Sequence, residues 1–143
     1  MHSWIAYNYS LTERLKKKVK QTQLKVLKHD FEPVDAYDLD VLQLDPNQNV
    51  LHREIIMYGD NTPCWYARTI IPEATYQAEE QTFAELEHKT LGDIIYHHPN
   101  ITRHIEPVEE SFLSGRLSRF IINEAHPFYL LEIFLPGLHK YDD

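Results

Sequence analysis

Cysteine is nearly absent from this sequence: Cys64 is the only one in 143 residues. A lone cysteine excludes an internal disulfide and fits a reducing compartment. Glycine is scarce too, at four residues, and no Gly-rich phosphate loop is present. No apolar run approaches the roughly 20 residues of a membrane span, so no stable membrane insertion is expected. Positive charge is in deficit. Lys and Arg number 14 against 22 Asp and Glu, giving a net charge of −8, which argues against nucleic acid or an anionic membrane as a partner. The local run Lys16, Lys17, Lys18 and Lys20 reads as a solvated helix face rather than a polyanion contact. Residues 1–10 lack a cationic segment followed by an apolar one, so no secretory signal is expected and the default location is cytoplasmic. There is no internal repeat and no low-complexity segment.

What is present suits a globule. Hydrophobic residues make up 43% and aromatic residues 12%, enough for one domain over residues 1–143 with a real core. Ser10-Leu11-Thr12-Glu13 matches a capping box, predicting a helix from Leu11 to Lys20 with Leu11, Leu15 and Val19 as its apolar stripe. Gln23 to Phe31 predicts a strand, with Leu24 and Val26 on one face. After Pro33 come an acidic stretch, Asp35 to Asp40, a short apolar run, and a turn at Asp45-Pro46-Asn47. Val50 to Tyr58 and Cys64 to Pro72 predict an antiparallel hairpin with a long loop, Gly59 to Pro63. Residues 73–81 read as loop. Thr82-Phe83-Ala84-Glu85 and Thr90-Leu91-Gly92-Asp93 read as helix starts, and Pro99 as a helix stop. Ile101 to Val108, Arg116 to Ile122 and Phe128 to Leu135 predict three more strands. Short helices beside hairpin-linked strands make the expected class α+β, with helices packed on a single antiparallel sheet.

Two charges stand where a core is wanted. In the central strand, Cys64, Tyr66, Arg68 and Ile70 share one face, and Trp65, Ala67, Thr69 and Ile71 the other. Neither face is polar, so Arg68 is a guanidinium that needs an anion. In the last strand, Phe128, Leu130, Glu132 and Phe134 share a face, which sets a carboxylate inside an apolar run. Two readings stay open. Arg68 and Glu132 form a buried salt bridge, or they line a closed pocket for a small polar aromatic or anionic ligand, Arg68 forking onto a carboxylate and Glu132 meeting a hydroxyl or a proton. Arg103, Arg116 and Arg119 are candidates to add positive potential there. Nine histidines include no His-Glu-x-x-His and no Cys/His cluster, and His97-His98 at a helix end fit capping better than a metal. Cys64 reads as a small core residue.

In order and spacing, Ser10-Leu11-Thr12, Arg53-Glu54-Ile55, Trp65 to Pro72, Leu91-Gly92, Ser114 to Arg119 and Leu131 to Pro136 resemble the chorismate pyruvate-lyase family, the bacterial 4-hydroxybenzoate synthases of ubiquinone biosynthesis. The resemblance runs from about Ser10 to Pro136. It implies a six-stranded antiparallel sheet and a monomer without cofactor. It implies conversion of chorismate to 4-hydroxybenzoate and pyruvate in a closed internal site, with product inhibition as a corollary. Arg68 resembles the arginine that binds the ring carboxylate, and Glu132 the carboxylate that meets the ring hydroxyl. Leu91 matches a leucine whose backbone contacts the ligand, and Val26 falls at an apolar contact where methionine is common. Ala67 stands for a common glycine, Thr90 for a common proline, and the segment before Ser10 is short. The alternative class is a non-catalytic effector-sensing domain of related fold, although no helix-turn-helix precedes Ser10. A third class, a purely structural protein, needs neither charge.

Overall fold

In the computed structural model, which describes residues 2–5, 7, 10–86, 89–95, 98–110 and 112–142, the strands are β1 (Thr22–Pro33), β2 (Asn49–Gly59), β3 (Thr62–Pro72), β4 (Ile101–Glu110), β5 (Leu113–Ile122) and β6 (His126–Phe134). They form one antiparallel sheet in the order β1-β2-β3-β6-β5-β4. The helices are α1 (His2–Ile5), α2 (Leu11–Lys16), α3 (Ala36–Leu42), α4 (Glu73–Ala78), α5 (Glu80–Phe83) and α6 (Leu91–Ile95), followed by a 3₁₀ helix, Pro136–Tyr141. Both faces of β3 are covered, because each carries a run of residues that gains by leaving water. On one face Leu51, Ile55, Met57, Trp65, Ala67 and Ile71 meet Leu11, Leu15, Phe83, Leu86, Leu91 and Ile95 from the helices. On the other, Val50, Ile70, Leu117 and Tyr129 form a smaller core against Val41 and Leu42 of α3.

Several expectations change here. The Ser10 cap holds: its Oγ accepts the Glu13 N–H at 3.2 Å. The helix stops at Lys16 rather than Lys20, because the Lys20 and Gln21 amides turn to the Asp60 carboxylate, both at 2.9–3.0 Å. The acidic stretch is helical, since Asp35 Oδ1 caps α3 by accepting the Asp38 N–H at 2.9 Å, and Gln43 ends it at φ 54°. Residues 73–81, expected as loop, fall in two short helices, Glu73–Ala78 and Glu80–Phe83; Tyr76 stacks on Phe83, and Phe83 meets Phe128 edge-on. Thr82 lies inside α5 and caps nothing, whereas Thr90 caps α6 by accepting the Asp93 N–H at 3.2 Å. The β2–β3 loop is tighter than expected. It is Asp60-Asn61 alone, with φ 47° and 67°, the left-handed pair that a two-residue hairpin turn requires.

Candidate active site

A pocket opens in the larger core, between the sheet, α2 and α6. Its floor is built by period-2 alternation: Arg53, Ile55 and Met57 from β2, Trp65, Ala67 and Thr69 from β3, Leu130 and Glu132 from β6. Its roof comes from the two capped helix starts, Ser10-Leu11-Thr12 and Thr90-Leu91-Gly92. Apolar walls with a few converging charges are the form a site takes when it must orient one ligand.

Arg53 is the unusual member. It is 2% exposed. Its Nη2 donates to the Lys89 carbonyl at 3.2 Å, its Nε has no partner, and no carboxylate reaches it among the described residues. Burial alone lowers its pKa to about 10, so it remains a cation at neutral pH. A buried guanidinium without an anion is costly, and the pocket is where an anion fits. Glu132 is held from the other side. Its Oε1 accepts Arg116 Nε at 2.6 Å and stands 4.0 Å from Arg103 Nη2. Arg116, fully buried, also donates Nη1 to the Tyr7 carbonyl.

The sequence expectations meet this site unevenly. Glu132 and Leu91 lie on the pocket wall. Arg68 does not. The register sets Ala67 opposite Glu132 and Arg68 opposite Leu131, so Arg68 and Glu132 project from opposite faces and form no salt bridge with each other. Arg68 Nη2 donates instead to Asp35 Oδ2 at 2.8 Å and Asp38 Oδ1 at 3.0 Å, beneath α3. Burial pushes the Asp38 carboxyl up, against the Tyr129 hydroxyl that donates to it. Val26 sits on the edge strand beside a bulge between Val26 and Lys28 and is 41% exposed; Leu24 lines the pocket in its stead. Of the three added arginines, Arg103 and Arg116 reach the pocket, while Arg119 pairs with Glu106. Sequence reasoning missed the roles of Arg53 and Leu11. The signal was there for Arg53, the one charge in the otherwise apolar register Leu51, Ile55, Met57. Among the described residues no group of three His, Cys, Asp or Glu is arranged to hold a metal. His98 Nδ1 accepts the Asn100 N–H at 3.0 Å, and His97 lies outside the described residues. Cys64 is buried in the main core. No helix among the described residues is long and apolar enough to cross a membrane.

The family model described as chorismate lyase matches residues 1–142. A chorismate pyruvate-lyase of Pectobacterium carotovorum subsp. carotovorum (strain PC1) is 28% identical over 134 residues, 93% of this chain and 75% of that protein. A chorismate pyruvate-lyase of Enterobacter sp. (strain 638) is 27% identical over 139 residues, 96% of this chain and 84% of that one. Among solved structures, the C-terminal domain of the histidine utilization repressor from Pseudomonas syringae pv. tomato str. DC3000 superposes with a TM-score of 0.62 at 11% identity, covering 86% of this chain and 97% of that one. The ligand-binding domain of a GntR-family transcriptional regulator from Bordetella bronchiseptica gives 0.58 at 10% identity, covering 81% and 83%. At such identities the likeness is one of fold: a six-stranded antiparallel sheet with helices on it.

Proposed function

The chain belongs to the chorismate lyase family, and on that premise we propose that it converts chorismate to 4-hydroxybenzoate and pyruvate. One observation carries the reading: a buried cation without an acidic partner, Arg53, and a carboxylate, Glu132, wall the same apolar pocket. 4-Hydroxybenzoate carries a carboxylate and a hydroxyl at opposite ends of a flat ring. In this reading Arg53, rather than Arg68, takes the ring carboxylate, and Glu132, whose Oε1 accepts Arg116 Nε, meets the hydroxyl. Leu11, Leu91 and Leu130 pack on the ring, and Val26 has no part.

The reaction is redox-neutral. The ring carbon bearing the hydroxyl loses its hydrogen, and the electrons of that bond complete the aromatic ring. The neighbouring carbon–oxygen bond breaks and releases enolpyruvate, whose methylene carbon gains a proton to give pyruvate. Aromatisation supplies the driving force. The protein's task is to hold the ring in one pose and keep water out, which an apolar pocket with fixed charges serves, and no cofactor is called for by the balance.

The test is to incubate the protein with chorismate and follow 4-hydroxybenzoate by absorbance and pyruvate by a coupled assay. Equal amounts of both are expected. The second reading, a domain that binds a small carboxylate without chemistry, is favoured by the structural likeness to regulators' ligand-binding domains. Tight 4-hydroxybenzoate binding with chorismate left intact would decide for it.

A further inference from the structure

Chorismate carries two carboxylates and its aromatic product one, and the pocket wall holds three arginines against a single acid, Glu132. We propose that Arg103 grips the second carboxylate, the one on the enolpyruvyl side chain, and so tells substrate from product. This rests on the lyase reading above.

The position of each arginine carries the assignment. Arg53 pairs across to Thr69, and Thr69 to Leu130; Glu132 lies two residues further along β6 on the same face. Arg53 and Glu132 therefore stand at different ends of the floor. Arg103 belongs to the Glu132 end, with Nη2 4.0 Å from Glu132 Oε1. On chorismate the enolpyruvyl ether leaves the ring carbon next to the one bearing the hydroxyl. A hydroxyl held by Glu132 thus brings the enolpyruvyl group to the Arg103 end, away from Arg53. Arg116 shares that end, but it lies deeper in the core, hydrogen-bonded to Glu132 and the Tyr7 carbonyl. Arg103 is mounted as a platform. Its Nε and Nη2 both donate to Ser118 Oγ, at 3.1 and 2.9 Å, and its guanidinium carbon lies 5.1 Å from the centre of the Phe120 ring. It comes from the edge strand β4, and its side chain is 14% exposed where that of Arg116 is 2%. That is the place for a group present in the substrate and gone from the product.

The experiment compares Arg103→Gln and Arg103→Lys with the wild type in two measurements: 4-hydroxybenzoate affinity by calorimetry, and kcat and KM for chorismate. Arg103→Gln should bind 4-hydroxybenzoate within about twofold of wild type while kcat/KM for chorismate falls about ten- to a hundredfold, mostly through KM. Arg103→Lys, which keeps the charge, should recover part of the loss. Equal losses for both ligands, or an unchanged kcat/KM, would overturn the assignment. Were the wild type to leave chorismate intact, the lyase reading would fall, and competition of unreacted chorismate against 4-hydroxybenzoate would decide this one. Chorismate competing about tenfold less well on Arg103→Gln than on wild type supports it; equal competition overturns it.

Discussion

Arg53 and Arg68 are both buried or nearly so, and their partners make opposite predictions. Arg68 neutralises Asp35 and Asp38, and removing it leaves the fully buried Asp38 without its cation. Arg68→Ala should lower stability by about 3 kcal/mol in urea unfolding while leaving 4-hydroxybenzoate affinity unchanged. Arg53 has no acid to neutralise among the described residues. Arg53→Met should cost about a hundredfold or more in 4-hydroxybenzoate affinity, yet the unliganded protein should melt no earlier than wild type, because a buried cation has been replaced by an apolar chain of similar length. Calorimetry and thermal melts on the two variants read both effects; normal binding by Arg53→Met would move the carboxylate elsewhere. Sequence alternation showed which strands carry misplaced charges but not which face becomes the pocket. Arg68 stood out because its strand is apolar on both faces. Arg53 is flanked in sequence by the polar His52 and Glu54, although its own face is Leu51, Ile55 and Met57. Glu132 was legible because nothing around it is polar.

At the level of elements, strands were read well and helices poorly. Aromatic and β-branched runs between prolines leave little choice. Glu73–Ala78 and Ala36–Leu42, six and seven residues long, span too few turns to show a period, and Asp35 caps the second. Strand spacing makes a prediction of its own at Gly115. A Cβ there would lie 2.0 Å from the Glu132 carbonyl oxygen on β6, so no side chain fits between β5 and β6. Gly115→Ala should destabilise the protein by about 3 kcal/mol, and, because it parts Arg116 from Glu132, it should also lower turnover in whatever protein remains folded. A stable, fully active variant would mean that the two strands part without disturbing the site. On β1, Lys28 Nζ meets Glu32 Oε2 at 2.6 Å. That hydrogen bond is the main cause holding the Glu32 carboxyl below the usual carboxylate range; burial opposes it, and His52 adds to it. The folded state then takes up this proton at lower pH than the unfolded chain. The resulting stability is present in full above the unfolded value of about 4.3 and is lost as pH falls through that value and the folded one. Unfolding curves between about pH 6 and 3 should show Glu32→Gln with a shallower acid-side loss than wild type; parallel curves would show that the pair does not couple to folding.

In the whole molecule α2 and α6 lie over the pocket and the sheet beneath it. If these roof helices close on a bound ligand, its exit needs one of them to move. Release of 4-hydroxybenzoate should therefore be slower than the chemical step, visible as a burst in the first turnover and as product inhibition in the steady state. A burst-free trace with weak product binding would mean an open site. The sheet order also bears on how the protein is made. Strands β1 to β3 and β4 to β6 are each a run of neighbours in sequence, but the seam between the halves joins β3 to the last strand, β6. Every charged member of the pocket except Arg53 belongs to the second half, and Arg116 reaches back 109 residues to the Tyr7 carbonyl. During synthesis the first half therefore waits on the ribosome with one edge of β3 bare and Arg53 still in water. At about 5–20 residues per second, several seconds separate Pro72 from Phe134. Until that last strand arrives, the nascent chain presents an apolar edge to chaperones or to its neighbours on the same message.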